Sequence, residues 1–112
     1  MRPHDMLFSV DNADLLAEVR RRPSTALRPR LVVVFGSRAR EGARPESDLD
    51  LMVVLDHGGS LGSRSWEVRR HLLDLPVPID LVVYTVEEHE RLRRWRSTVA
   101  GIADREGRVL VG

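Results

Sequence analysis

Asp48 and Asp50 flank a single leucine at the head of an apolar run, Leu51 to Leu55, and a second apolar run, Leu31 to Phe35, ends in Gly36-Ser37. Alternate residues of a strand share a face, so the two carboxylates would lie side by side on an element otherwise fit for a core. At about 4 Å and an effective dielectric near 20 they would repel by roughly 4 kcal/mol. A hard divalent cation relieves such repulsion, and Mg²⁺ held by one or two carboxylates plus substrate phosphates is the usual arrangement. A third acid, Asp80, interrupts a further apolar stretch from Ile79 to Tyr84. If its strand neighbours that of Asp50, the acids form one cluster, and two bridged metal ions would stabilise the entering and leaving oxygens of a displacement at phosphorus.

Gly36 and Ser37 supply the complementary part. Glycine lets the backbone turn sharply and approach a ligand, and Ser37 places a hydroxyl where the first free N–H groups of a helix point. That combination binds anions. Arg38 and Arg40 add fork-shaped cationic donors suited to phosphate oxygens.

The elements that must position these residues can be read from periodicity. Leu31 to Phe35 reads as a buried strand, followed by a short helix over 38–43 that Arg44-Pro45 closes. Upstream, residues 1–10 read as a loose lead-in. Asp11 or Asn12 caps a helix with Leu15, Leu16 and Val19 on one stripe and Arg20, Arg21 and Arg22 at its end, where Pro23 stops it. Composition predicts a flexible loop over 56–63, with His57 within reach of a bound nucleotide as a minor candidate. A helix over 65–75 then turns Val68, Leu72 and Leu75 inward and Arg69, Arg70 and His71 outward. Pro76 and Pro78 lead into the Asp80 strand, a crossover that suits a mixed sheet with helices packed on it. Thr85 and Glu88 form a capping-box pattern starting a last helix with Leu92, Trp95 and Val99 on one face. Trp66 and Trp95 are expected as core or interface anchors. Val109 to Val111 reads as an edge strand or a dimer contact.

Composition narrows the class. The 112 residues make one domain, 1–112, with room for three to five strands and three or four helices. The absence of cysteine excludes disulfides and thiolate metal sites. No apolar run approaches the roughly 18 residues of a membrane span, and no signal-like segment opens the chain, so a soluble, cytoplasmic protein is expected. Eighteen basic residues, all arginine, against seventeen acids leave a net charge of +1, without the basic excess of a direct nucleic-acid binder.

Gly36-Ser37, ten residues, then Asp48-x-Asp50, followed by a strand bearing Asp80, resembles the minimal nucleotidyltransferase family of the polymerase-β-like superfamily. At ordinary residue usage the spaced pattern alone arises by chance in roughly one chain in a thousand of this length. The resemblance covers nearly the whole chain, to the final segment Ile102 to Leu110. It departs in one place, where Glu41 precedes Gly42 rather than following it. The resemblance implies an α/β (α+β) nucleotidyltransferase fold, ATP as substrate and two Mg²⁺ ions. Asp48, Asp50 and Asp80 would serve as metal ligands and catalytic residues, and Gly36, Ser37, Arg38 and Arg40 would bind the nucleotide. It further implies an antitoxin that transfers AMP to a tyrosine of a HEPN-domain RNase toxin. Two alternatives stay open: a non-catalytic antitoxin acting by complex formation, and a nucleotidyltransferase for a small molecule or an RNA end. Homo-oligomerisation is left open.

Overall fold

Four strands make one mixed sheet. The computed structural model describes residues 11–40 and 42–112; the lead-in expected over 1–10 lies outside them. Strands β1 (Leu31–Phe35), β2 (Leu49–Leu55), β3 (Ile79–Thr85) and β4 (Arg108–Val111) lie in the order β3-β2-β1-β4. β1 is antiparallel to both β2 and β4, whereas β2 and β3 run parallel, joined by a crossover carrying helix α2 (Leu61–Arg69). Helices α1 (Asn12–Leu27), α3 (Val86–Leu92) and α4 (Val99–Glu106) are the other α-helices among the described residues. None of the helices is long and apolar enough to cross a membrane, among the described residues.

The apolar run of β2 from Leu51 to Leu55 has a direct cause: both faces of the sheet are covered there. Leu49, Leu51, Val53 and Leu55 point to one side, into a cluster with Leu16 and Val19 of α1, and Val68 and Leu72 of the α2 region. Met52 and Val54 point to the other, against Val33 and against Ala100 and Ala103 of α4. Each such side chain, fully buried, contributes about 1.5–3 kcal/mol. Asp50 shares the second face and lies at its outer end.

Several elements differ from expectation. α1 begins as expected, with Asp11 as its cap accepting a hydrogen bond from the Ala13 N–H, but it does not stop at Pro23 and runs on to Leu27. A proline inside a helix costs about 3 kcal/mol in clash and a lost bond. Here the ring is among the fully buried side chains, so its packing offsets that cost. Arg22 also ties this half of the helix down, bonding Glu18 on its own helix and Asp74 beyond α2.

The loop expected over 56–63 contains the start of α2. Ser60 caps it by accepting from the Ser63 N–H, and the helix ends at Arg69, so Leu72 and Leu75 belong to the turns after it. The long last helix is two. Thr98 interrupts it: its hydroxyl donates to the Leu92 and Trp95 carbonyls at 2.7 and 2.8 Å and accepts from the Gly101 N–H, closing α3 and opening α4. Trp95 therefore falls in a turn and is 65% exposed; Trp66 is 55% exposed, and neither is core. The capping box of Thr85 and Glu88 is present as expected. β4 is an edge strand, as its short apolar run suggests.

Candidate active site

The chain reaches the site at the C-terminal end of β1. Phe35 pairs with Asp50 across the β1–β2 ladder, and Gly36 comes next with φ of 70°, a left-handed conformation that favours glycine. A Cβ at Gly36 would collide with the Asp50 Oδ2 atom. The glycine thus lets the backbone pass directly beneath a carboxylate. Gly36–Ala39 forms a single 3-10 turn, and not the helix expected over 38–43. Ser37 is half-buried in that turn, and its carbonyl accepts from the Arg40 N–H at 3.2 Å.

The parallel pairing of β2 with β3 sets Asp80 beside Asp50 in register. Leu49 N–H donates to the Pro78 carbonyl at 2.9 Å, which fixes the entry of both strands at this end. Asp48 lies one residue before β2 and is exposed, as is Asp80, whereas Asp50 is half-buried. Burial raises the Asp50 carboxyl above its ordinary value, and a side-chain hydrogen bond with Asp80 and the charges of Asp80 and Asp48 raise it further. The three acids expected from sequence are therefore close enough to feel one another, with Asp50 at the centre.

A cavity of about 230 Å³ opens beside Asp50, lined by Phe35, Gly36, Arg40, Asp50, Ile102 and Glu106. Arg40 is exposed at its edge, in position to meet an anion. Arg38 departs from the expectation that it meets the phosphates: it is only 2% exposed and braces the loop instead. Its Nε donates to the Ser47 carbonyl at 2.9 Å, and its Nη atoms donate to the Arg44 and Pro45 carbonyls and to Asn12 Oδ1. The Asn12 amide returns a bond to the Arg38 carbonyl at 3.1 Å. Burial lowers the Arg38 pKa, while Asp48 and Glu46 favour its charge. Its donors are thus engaged in holding the segment that delivers Asp48.

His57 lies just beyond the opposite end of β2, with its Nε2 3.4 Å from a Glu67 carboxylate oxygen, away from this site. Ile102 and Glu106 were not anticipated as lining residues. Their spacing of four on α4 places them on one helix face, but only the packing of α4 on the sheet shows which face meets Asp50.

Among the described residues, no group of three acid, histidine or cysteine side chains is gathered to hold a metal ion. The donor chemistry nonetheless suits a hard cation: oxygen ligands only, with two carboxylates in register whose mutual repulsion a cation would relieve. Such a site fits Mg²⁺ completed by substrate phosphates rather than an all-protein cage.

A glycine turn beneath one of two paired carboxylates, with an arginine beside the cavity, is the layout of a phosphoryl-transfer site. The chain matches the family model of the nucleotidyltransferase domain over residues 14–103, and it belongs to that family. No curated protein sequence matches it. Among the solved structures it resembles, two illustrate the shared fold. One, a Sulfolobus solfataricus protein described as a nucleotidyltransferase, is 22% identical with a TM-score of 0.55, over 71% of this chain and 75% of that one. The other, a mutant of the toxin–antitoxin pair MntA-HpeT, is 20% identical with a TM-score of 0.54, over 92% of this chain and 74% of that one.

Proposed function

We propose that this nucleotidyltransferase transfers AMP from ATP to a hydroxyl acceptor and releases pyrophosphate, and that the acceptor is a tyrosine of a HEPN-domain RNase toxin neutralised in the cytoplasm. The observation that carries the chemistry is the packing of Gly36 beneath Asp50, with Asp80 in register beside it. The acceptor oxygen forms a bond to the α-phosphorus. The bond from that phosphorus to the bridging oxygen of the β-phosphate breaks, and pyrophosphate leaves with the electron pair. Asp80, exposed at the edge of the site, can take the acceptor proton even when the hydroxyl belongs to a macromolecule. The Gly36 and Ser37 backbone N–H groups and Arg40 suit the β- and γ-phosphates. Mg²⁺ held by Asp50 and Asp80, with Asp48 beside them, would neutralise charge on the phosphates.

The toxin assignment draws support from the MntA-HpeT likeness and from the sequence resemblance to stand-alone antitoxins. Exposed Trp66 and Trp95 favour a second reading in which complex formation alone neutralises the partner. One experiment separates them. The protein is incubated with Mg²⁺, ATP and a HEPN-domain toxin as candidate partner, and the intact mass of both chains is read. A gain of one or more AMP units on the partner, lost in Asp50→Asn, supports transfer. A stable complex without mass gain, neutralised equally by Asp50→Asn, supports the second reading.

A further inference from the structure

Glu106 is the last residue of α4 and lines the same cavity as Asp50 and Gly36. Its side chain is 61% exposed, and Arg105 forms a loose ion pair with it at 3.7 Å, longer than a hydrogen bond. Among the described residues the Glu106 carboxylate thus accepts no hydrogen bond. The backbone that carries it is nevertheless fixed. Gly107 comes next, at the point where the chain presses on β1: a Cβ there would collide with the Val33 side chain and the Ala103 carbonyl, and the Gly107 N–H donates to that carbonyl at 2.9 Å. The helix end is therefore seated against the sheet at the Asp50 end of the molecule.

The inference rests on the nucleotidyl-transfer reading, in which the α-phosphorus sits beside Asp50. The ribose is joined to that phosphorus through a single oxygen. In a cavity of about 230 Å³ bordered by both Asp50 and Glu106, the sugar is the part of the nucleotide that reaches Glu106. Charge orients it the same way. Arg40 and the Gly36 turn attract phosphates and Glu106 repels them, so the phosphates run toward the first and the nucleoside toward the second. A carboxylate only accepts hydrogen bonds, and the ribose hydroxyls are donors. Ile102, one turn earlier on the same helix face, gives the sugar an apolar wall.

We propose that Glu106 accepts hydrogen bonds from the ribose hydroxyls and so determines selection of ribonucleotides over deoxyribonucleotides. The test is calorimetric binding of ATP, 2′-deoxy-ATP, 3′-deoxy-ATP and ITP, with Mg²⁺, to the full chain and to Glu106→Ala and Glu106→Gln. The wild type should prefer ATP to at least one deoxy analogue by about 10-fold, the scale of a hydrogen bond to a charged group. Glu106→Ala should bring that ratio within about twofold by weakening ATP alone, with Glu106→Gln between. A thermal melt matching wild type shows that the variants fold, as an exposed helix end should allow. An unchanged ratio in Glu106→Ala overturns the proposal. So does a change confined to the ATP-to-ITP ratio, which places Glu106 against the amine of the base. Failure of the wild type to bind ATP removes the nucleotidyl-transfer reading as well, whereas ATP binding with an unchanged ratio removes this inference alone.

Discussion

Two charged pairs stand at opposite ends of the parallel strands, and they are built on opposite rules. At the start of β2 and β3, Asp50 and Asp80 stand in register, where burial penalises the Asp50 charge first and the like charge of Asp80 adds to it. Where β3 passes into α3, Arg64 of α2, 5% exposed, forks onto Glu88 with contacts of 2.6 and 3.3 Å, and Glu88 also accepts the Thr85 N–H at 2.9 Å. Arg64, then the Thr85 N–H, hold the Glu88 carboxyl down to about 2. The second pair sets opposite charges against each other within the protein. The first sets like charges side by side with no opposite charge between them, the contrast on which the proposed assignment of the site rests.

The sharpest way to break the comparison is to neutralise each pair. Asp50→Asn should abolish transfer, by at least about 1,000-fold, without lowering the melting temperature, because it removes repulsion along with a catalytic group. A variant that melts well below wild type would show that Asp50 is structural. Gly36→Ala imposes both a left-handed alanine and a collision with Asp50. It should cost about 1–3 kcal/mol of stability and about 100-fold in ATP affinity; urea titration and calorimetry read the two losses separately.

Glu88→Ala should behave in the reverse sense. It leaves a buried guanidinium unpaired and removes a cap, so stability should fall by about 3 kcal/mol while the folded fraction keeps wild-type turnover. Lost turnover at full folding would contradict the division. The smallest effect is on pH. A carboxyl depressed from 4.5 to about 2 on folding stabilises the protein fully above the unfolded value and loses that contribution as pH falls through the window down to about 2. Its share is about 1–2 kcal/mol after allowing for solvent screening of a carboxylate about one-third exposed. Chemical denaturation between pH 6 and 2 should show a steeper acid limb in the wild type than in Glu88→Ala, where Glu18 and Asp74, also held down by arginine partners, remain.

The same contrast sets what can be read in the sequence. Strands β1, β2 and β3, the Asp11 cap and the Thr85–Glu88 box are local, and their residues declare them through spacing alone. So do Gly36 and the alternating acids. The Arg64–Glu88 fork joins residues far apart in sequence on α2 and α3, and no period announces it. Arg38 misleads for a related reason: its type suits phosphate, but whether it faces a ligand or the Arg44 and Pro45 carbonyls depends on how residues 40–47 fold back. Pro23 misleads because local propensity gives way to burial of its ring. The break at Thr98 is locally visible, since a threonine three residues before Gly101 can cap a helix, but the apolar spacing through Leu92, Trp95 and Val99 masks it. Glu106 becomes a site residue only once α4 is seated on the sheet.

The parallel register that joins Asp50 to Asp80 also dictates when the site can exist. β1 and β2 meet through one connection, but β3 reaches β2 only after residues 56–78 have folded across the sheet with α2. Closing such a crossover demands more chain entropy than closing the β1–β2 ladder, so the parallel pair should form late. During refolding, nucleotide binding should therefore lag behind the recovery of secondary structure. A chain stalled before that step would carry most of its helices and no paired carboxylates.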